Sequence, residues 1–272
     1  MPRIRVNGAT IHYDEAGHGA QTIVFAHGLL FSTAMFASQM AAFAGSYRCI
    51  AFDFRGQGAS EVTDAGYDMD TLAEDAAALI EALGAAPCHF AGLSMGGFIG
   101  MRLAARRPEL LRSLILLETS AGPEPPASAG RYRTMNAIAR WVGFRPLMGR
   151  VMRILFGRRF LEDPARADER AAWRERFMGN DRTGVYRAVE GVCARAGIER
   201  ELEGVRVPTL VIVGDADVAT PPERAQTIHA AIAGSRLVVI AEAGHSSPIE
   251  DPVAVNAAIA AFLDAGGPAA QQ

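Results

Sequence analysis

The run Cys88-His89-Phe90-Ala91-Gly92-Leu93-Ser94-Met95-Gly96-Gly97 decides the reading of this chain. Cys88 to Leu93 is a short apolar segment with the length and composition of a buried strand, and Met95 to Arg107 reads as a helix ended by Pro108. The junction between them is a G-x-S-x-G pentapeptide. Its spacing has a mechanical reason: a serine on a sharp strand-to-helix turn projects its hydroxyl, and only small residues two positions to either side let the backbone bend so tightly. A glycine-rich helix start that merely packs on a sheet would share the pentapeptide. The strand before it, the helix after it and suitable partners elsewhere in the chain favour a nucleophile.

Outward from this junction, strands and helices alternate. Ile4 to Asp14 forms two short strand-like pieces broken by Asn7-Gly8, a strong hairpin signal. Thr22 to Ala26 and Tyr47 to Phe52 are apolar runs suited to buried strands, and the second leads into the glycine loop Arg55-Gly56-Gln57-Gly58. Thr71-Leu72-Ala73-Glu74 has the form of a capping box opening a helix that runs through Leu83 and stops at Gly84. Leu111 to Leu117 is the next strand. From Gly122 to about Val205 no strand-like run occurs, only proline-rich linker and arginine-rich amphipathic helix. The alternation resumes with the strand Thr209 to Val213, a helix from Pro222 to Ala233, the strand Arg236 to Ile240 and a helix from Pro252 to Leu263. Strands apolar on both faces, alternating with helices, imply a mostly parallel sheet covered on both sides. The expected organisation is an α/β core over 1–121 and 206–266, a helical cap over 122–205, and a flexible tail at 267–272.

A serine hydroxyl needs a base, and the base needs a group to orient it. His245, in Ala243-Gly244-His245-Ser246, follows a strand directly, at the edge where a parallel sheet delivers side chains. The other five histidines lie in the hairpin, in a strand, within a helix or, for His27, where the imidazole is better placed to support a loop. Three carboxylates compete for the orienting role. Asp215 comes immediately after a strand and glycine, where an aspartate commonly closes a turn. Asp217 lies deeper in the same loop and is followed by the stiff Thr220-Pro221-Pro222, which favours it; Glu118 ends another strand. Two backbone amides are placed to serve an oxyanion: Met95, just after the serine at a helix N-terminus, and Leu29 in His27-Gly28-Leu29.

Composition narrows the alternatives. The 272 residues are 50% apolar and 21% charged, which rules out disorder and allows a large core. A net charge of −3 leaves no electrostatic footprint for nucleic acid. All 27 basic residues are arginine, so Schiff-base and P-loop lysine chemistry are excluded. Cys49, Cys88 and Cys193 form neither a disulfide framework nor a C-x-x-C metal pair. No apolar run approaches the ~18 residues of a membrane span, and the first ten residues lack a signal core, so a soluble cytoplasmic protein is expected. No metal or cofactor is expected either, and the oligomeric state is not legible.

His27-Gly28, Asp53-x-Arg55-Gly56-x-Gly58, Gly92-x-Ser94-Met95-Gly96-Gly97, Gly214-x-x-Asp217-x-x-x-Pro221 and Gly244-His245 together resemble the α/β-hydrolase superfamily. They follow its Ser, Asp, His order and span most of the chain outside the helical insertion. Within the superfamily the chain is most similar to the 3-oxoadipate enol-lactonase and small carboxylesterase groups. The resemblance implies the α/β-hydrolase fold, with an eight-stranded, mostly parallel sheet and a helical cap. It implies Ser94 as nucleophile, Asp217 as acid, His245 as base, and Leu29 and Met95 as oxyanion amides. It also makes the Asp53–Arg55 loop structural.

The insertion bears on selectivity. Arg131, Arg133, Arg140, Arg145, Arg150, Arg153, Arg158 and Arg159 occur with no acidic residue among them, interleaved with apolar residues at helical spacing. An amphipathic cap with arginines facing water accounts for this pattern; the sharper alternative is an arginine that holds a substrate carboxylate. Phe31, Met95, Trp141 and Val218 are the expected pocket wall. The expected function is hydrolysis of a small carboxylic ester or lactone through an acyl-enzyme. Carbon–carbon bond hydrolysis, perhydrolase or haloperoxidase chemistry, and a slow-turnover ligand receptor are the alternatives on the same residues. The only expected partner is the small-molecule substrate, with no nucleic acid and no membrane.

Overall fold

The computed structural model describes residues 2–266. The chain enters through a hairpin of β1 (Arg3–Val6) and β2 (Ala9–Ala16), turned at Asn7-Gly8, where φ is 44° and 77°. Two successive left-handed residues are what a two-residue turn needs to match strand twist. There follow β3 (Thr22–Ala26), α1 (Ala37–Phe43), β4 (Arg48–Phe52), α2 (Met69–Ala82), β5 (Cys88–Leu93), α3 (Met95–Arg106) and β6 (Leu111–Leu117). Between β6 and the next strand lie α4 (Pro126–Trp141), α5 (Met148–Leu155), α6 (Arg158–Glu162), α7 (Ala167–Met178), α8 (Arg182–Ala194) and α9 (Glu199–Leu202). The chain then adds β7 (Thr209–Gly214), α10 (Pro222–Ala231), β8 (Arg236–Ile240), α11 (Ser247–Glu250) and α12 (Pro252–Gly266).

The eight strands form one sheet in the order β1-β2-β4-β3-β5-β6-β7-β8. Pairing is antiparallel for β1–β2 and β2–β4 and parallel from β4 onward. Central strands β3, β5 and β7 are buried along their whole length, whereas the edge strand β8 is largely half-buried or exposed. Successive side chains on a strand face opposite sides. Val24, Ile50, Phe90, Leu114 and Val211 therefore pack with Leu72, Ile80, Ile99 and Ile228 in one core layer. Ile23, Phe25, Ile115 and Ile212 pack with Phe36, Phe43, Ile259 and Phe262 in the other. Each such fully buried side chain contributes roughly 1.5–3 kcal/mol.

The local structure corrects one cap. The N-cap of α2 is Asp68, whose carboxylate accepts the Thr71 amide at 2.8 Å and the Thr71 hydroxyl at 2.7 Å. Thr71 is thus inside the first turn, and the capping-box reading of Thr71–Glu74 started the helix too late. Two of the helices after β7 also end differently from expectation, α10 at Ala231 and α12 at Gly266. The tail expected at 267–272 lies outside the described residues. Among the described residues, no helix is long and apolar enough to cross a membrane.

Candidate active site

Ser94 lies between β5 and α3 with φ 51° and ψ −108°, a left-handed conformation outside the ordinary regions for a residue with a side chain. The turn closes only because its neighbours are small. A Cβ on Gly92 would fall 2.2 Å from the Gly96 carbonyl oxygen, and one on Gly96 would fall 2.1 Å from that of Ala26. The Ser94 amide donates to Leu117 O at 2.9 Å, and Thr119 Oγ1 donates to Ser94 O at 2.8 Å, so strand β6 braces the turn from behind.

His245 stands in the loop after β8. Its Nδ1 is 2.8 Å from Asp217 Oδ2, and both side chains are buried. The Asp217 carboxylate is held in place by the amides of Ala219 (2.8 Å) and Thr220 (3.0 Å) on Oδ1 and the Thr220 hydroxyl (2.7 Å) on Oδ2. Burial is the largest single influence on this carboxyl and pushes its pKa up. The His245 charge and hydrogen bond, with the Thr220 amide and hydroxyl, outweigh it and hold the group below its ordinary value. Asp215, the competing aspartate, is exposed and accepts the Glu242 amide at 2.7 Å, which closes a turn.

Glu118, the third candidate, is fully buried at φ 41°, and neither carboxyl oxygen has a hydrogen-bond partner. Burial holds its pKa well above the ordinary carboxyl range. The nearby Ser247 hydroxyl and the Gly214 backbone oppose this without cancelling it, while the charges of Asp217 and Glu250 add to it. Burial thus favours the protonated form of Glu118. It makes no hydrogen bond to His245.

The histidine loop is tied down by a residue the sequence reading passed over. Glu250 accepts the amides of Gly244 (3.0 Å) and Ser246 (3.1 Å), which flank His245, and the Gly157 amide from the insertion (2.8 Å). Arg166, also from the insertion, donates to the carbonyls of Ile249 and Glu250 on α11. The available hint was local: Ser246-Ser247-Pro248 opens a helix whose first-turn acid reaches back to the cap amide. The partner at Gly157 lies 93 residues away and leaves no trace in sequence spacing.

Ser94, Met95, Gly28, Leu29 and His245 all line one cavity of about 140 Å³, which is roofed by α4, α5 and α8. The Leu29 amide has no backbone acceptor among the described residues. Met95 is the first residue of α3, so its N–H has no carbonyl one turn back within the helix. Phe31 lines the cavity as expected, its ring packed edge-on against Trp173 and Phe177. Two expected wall residues do not. Tyr132, Met135, Asn136 and Ala139 carry the cavity-facing stripe of α4. Trp141, two positions further, is rotated about 200° from Ala139 and is 79% exposed. Val218 is 66% exposed, because the Asp217–Ala219 turn throws it outward and leaves Ala219 and Thr220 on the wall. None of the arginines from Arg131 to Arg159 lines the cavity.

The remaining candidates are structural. His27 Nδ1 donates to Gly28 O at 2.7 Å and Nε2 accepts the Phe54 amide at 3.1 Å; burial lowers its pKa, so it stays neutral and fixes the Leu29 loop. Asp53 accepts the amides of Thr33 and Ala59, and Arg55 forms a buried two-pronged pair with Asp75. The three cysteines are buried, and burial raises their thiols to about 11 (Cys49), 12 (Cys88) and 11 (Cys193), so none is a thiolate at neutral pH. No group of side chains among the described residues is arranged to hold a metal.

Sheet order, serine turn and histidine loop define a class: the chain belongs to the α/β-hydrolase fold family, whose model matches residues 21–252. Among solved structures it is similar to an enol-lactonase from Burkholderia xenovorans LB400, at 32% identity and a TM-score of 0.90, covering 97% of this chain and 100% of the other. A thermophilic esterase from Thermogutta terrifontis shares 26% identity at a TM-score of 0.91, with 98% and 100% covered. A Mycobacterium tuberculosis relative that carries a provisional non-heme bromoperoxidase name is 31% identical over 255 residues, 92% of this chain and 96% of its own.

Proposed function

We propose that this protein hydrolyses small, uncharged carboxylic esters or lactones through an acyl-enzyme on Ser94. The observation that carries the reading is His245, paired at 2.8 Å with buried Asp217 and sharing a cavity wall with a serine on a left-handed turn. In this scheme His245 Nε2 takes the Ser94 proton as Oγ attacks the substrate carbonyl carbon. Asp217 holds Nδ1–H and stabilises the imidazolium that forms. The amides of Leu29 and Met95 receive the oxyanion. The imidazolium then protonates the leaving oxygen, and water, activated by His245, releases the acid and restores Ser94.

The substrate charge follows from the cavity wall, which is apolar over most of its area and presents no arginine. A substrate carboxylate would enter it without a counter-ion, at a cost that burial makes large. Anionic enol-lactones are therefore expected to be poor substrates, despite the structural likeness to an enol-lactonase. The relative with the bromoperoxidase name supports one variation, in which hydrogen peroxide replaces water on the acyl-enzyme and a peracid leaves. A panel of neutral and carboxylated chromogenic esters and lactones, run with and without peroxide on wild type and Ser94→Ala, tests all of this. Turnover of neutral esters that vanishes in Ser94→Ala is the expected result. Tight binding with a single slow turnover would instead make the protein a receptor.

A further inference from the structure

The cavity wall is mostly apolar, and apart from Asn136 its polar side chains fall at two places. One is the Ser94–His245–Thr220 cluster. The other is formed by Glu124, in the loop between β6 and α4, and Tyr132 on α4. The Glu124 side chain is only 10% exposed, and Oε2 receives Arg195 Nη1 at 2.7 Å. Arg195 is itself 3% exposed, donates to Ser120 Oγ and Val192 O, and lies 4.1 Å over the Phe98 ring. It stands behind the wall, not on it, and its charge neutralises that of Glu124. Oε1 of Glu124 accepts no hydrogen bond from a described residue, and neither does the Tyr132 hydroxyl make one. Burial and then the Glu124 charge raise the Tyr132 pKa, so its hydroxyl remains a donor. Asn136, the remaining amide on this wall, has its NH2 committed to Tyr186 O and Glu190.

An acceptor and a donor on one cavity wall, near enough for the Glu124 charge to act on the Tyr132 hydroxyl and with the acceptor's charge already balanced, match a group that both gives and takes one hydrogen bond. We propose that Glu124 and Tyr132 form a subsite for a hydroxyl group on the substrate: Glu124 Oε1 accepts its O–H, and Tyr132 donates to its oxygen. Substrates are thus hydroxylated acyl esters or lactones, distinguished from their plain alkyl counterparts by this pair. An ammonium group would over-neutralise the Glu124–Arg195 pair, and a carboxylate would meet a carboxylate. The proposal rests on the Ser94-centred hydrolysis described above.

The test uses p-nitrophenyl esters of one acyl length, with a hydroxyl placed at successive carbons, and matched chains ending in methyl, ammonium or carboxylate. For each, kcat/KM is measured on wild type and Kd on Ser94→Ala, so that binding is read even if turnover fails. One hydroxyl position is expected to be preferred over its unsubstituted counterpart by about tenfold or more in both measurements. Tyr132→Phe and Glu124→Gln should each collapse that ratio towards one. Because Glu124→Gln leaves buried Arg195 without its partner, Tyr132→Phe carries the test if the first variant folds poorly. The proposal is overturned if no hydroxylated ester is preferred, if the ammonium ester is preferred to it, or if the preference survives Tyr132→Phe. Failure of the hydrolysis reading looks different: ratios in Kd persist while turnover is absent or survives Ser94→Ala.

Discussion

Replacing Glu118 by glutamine isolates the energetic consequence of burying a carboxylic acid without partners. The side chain is 0% exposed, and its pKa is held well above the ordinary range, chiefly by burial. Above the ordinary carboxyl value, near 4.3, the unfolded chain releases a proton that the folded chain keeps. The folded-state pKa is raised, so the group's contribution is fully present below the unfolded value and is lost as pH rises towards the folded one. One full proton of difference sets the upper limit of that slope at about 1.4 kcal/mol per pH unit. Glu118→Gln has the same shape and no proton to lose, so relative to wild type it should gain stability as pH rises, by up to that slope. Any constant cost of placing an amide there cancels from the slope. Urea unfolding of both proteins at pH 5.5, 6.5 and 7.5 measures it. Parallel pH profiles would show that Glu118 is ionised in the fold and refute the reasoning. Since Glu118 makes no hydrogen bond to His245, turnover should change little; a folded, inactive Glu118→Gln would instead assign it the orienting role.

Asp217→Asn should keep the fold and lower kcat by up to ~10⁴, because His245 then loses the group that fixes its tautomer. Since Asp217 is held below the ordinary range, its stabilisation is present at neutral pH and lost as pH falls through the folded-state value. Asp215→Asn should affect stability by about 1 kcal/mol, through the Glu242 amide, with little change in kcat. Glu250→Ala orphans the amides of Gly157, Gly244 and Ser246; the adjoining cleft admits water, so the cost is about 2–3 kcal/mol, read by thermal unfolding. Its kcat should fall more than its KM changes, because the loop that carries His245 loosens. Neutral acyl esters should be hydrolysed at least as well as carboxylated ones of equal size, with a ratio insensitive to salt.

The features legible in the sequence are those written in local spacing. Apolar runs bounded by turn residues mark β3, β5, β6 and β7 because these strands are buried on both faces, and Gly92 and Gly96 mark the serine turn because nothing larger fits there. The separation of Asp217 from Asp215 was also local, since the Thr220-Pro221-Pro222 segment that stiffens the loop supplies the Thr220 amide and hydroxyl. Direction around a helix or turn was harder. Trp141 and Val218 have the right chemistry for a pocket wall, but phase on α4 and the Asp217 turn aim them at solvent. Contacts between distant segments were not legible. Glu124 meets Arg195 across 71 residues and Glu250 meets Gly157 across 93, and no periodicity or motif encodes such pairs.

Whether Ser94 is the nucleophile is tested most directly by treating the protein with a fluorophosphonate and locating the adduct by peptide mass spectrometry. One equivalent on the Ser94 peptide, labelling slowed in Asp217→Asn and abolished in Ser94→Ala, is the expected result. An adduct on another residue, or labelling that persists undiminished in Ser94→Ala, would contradict it.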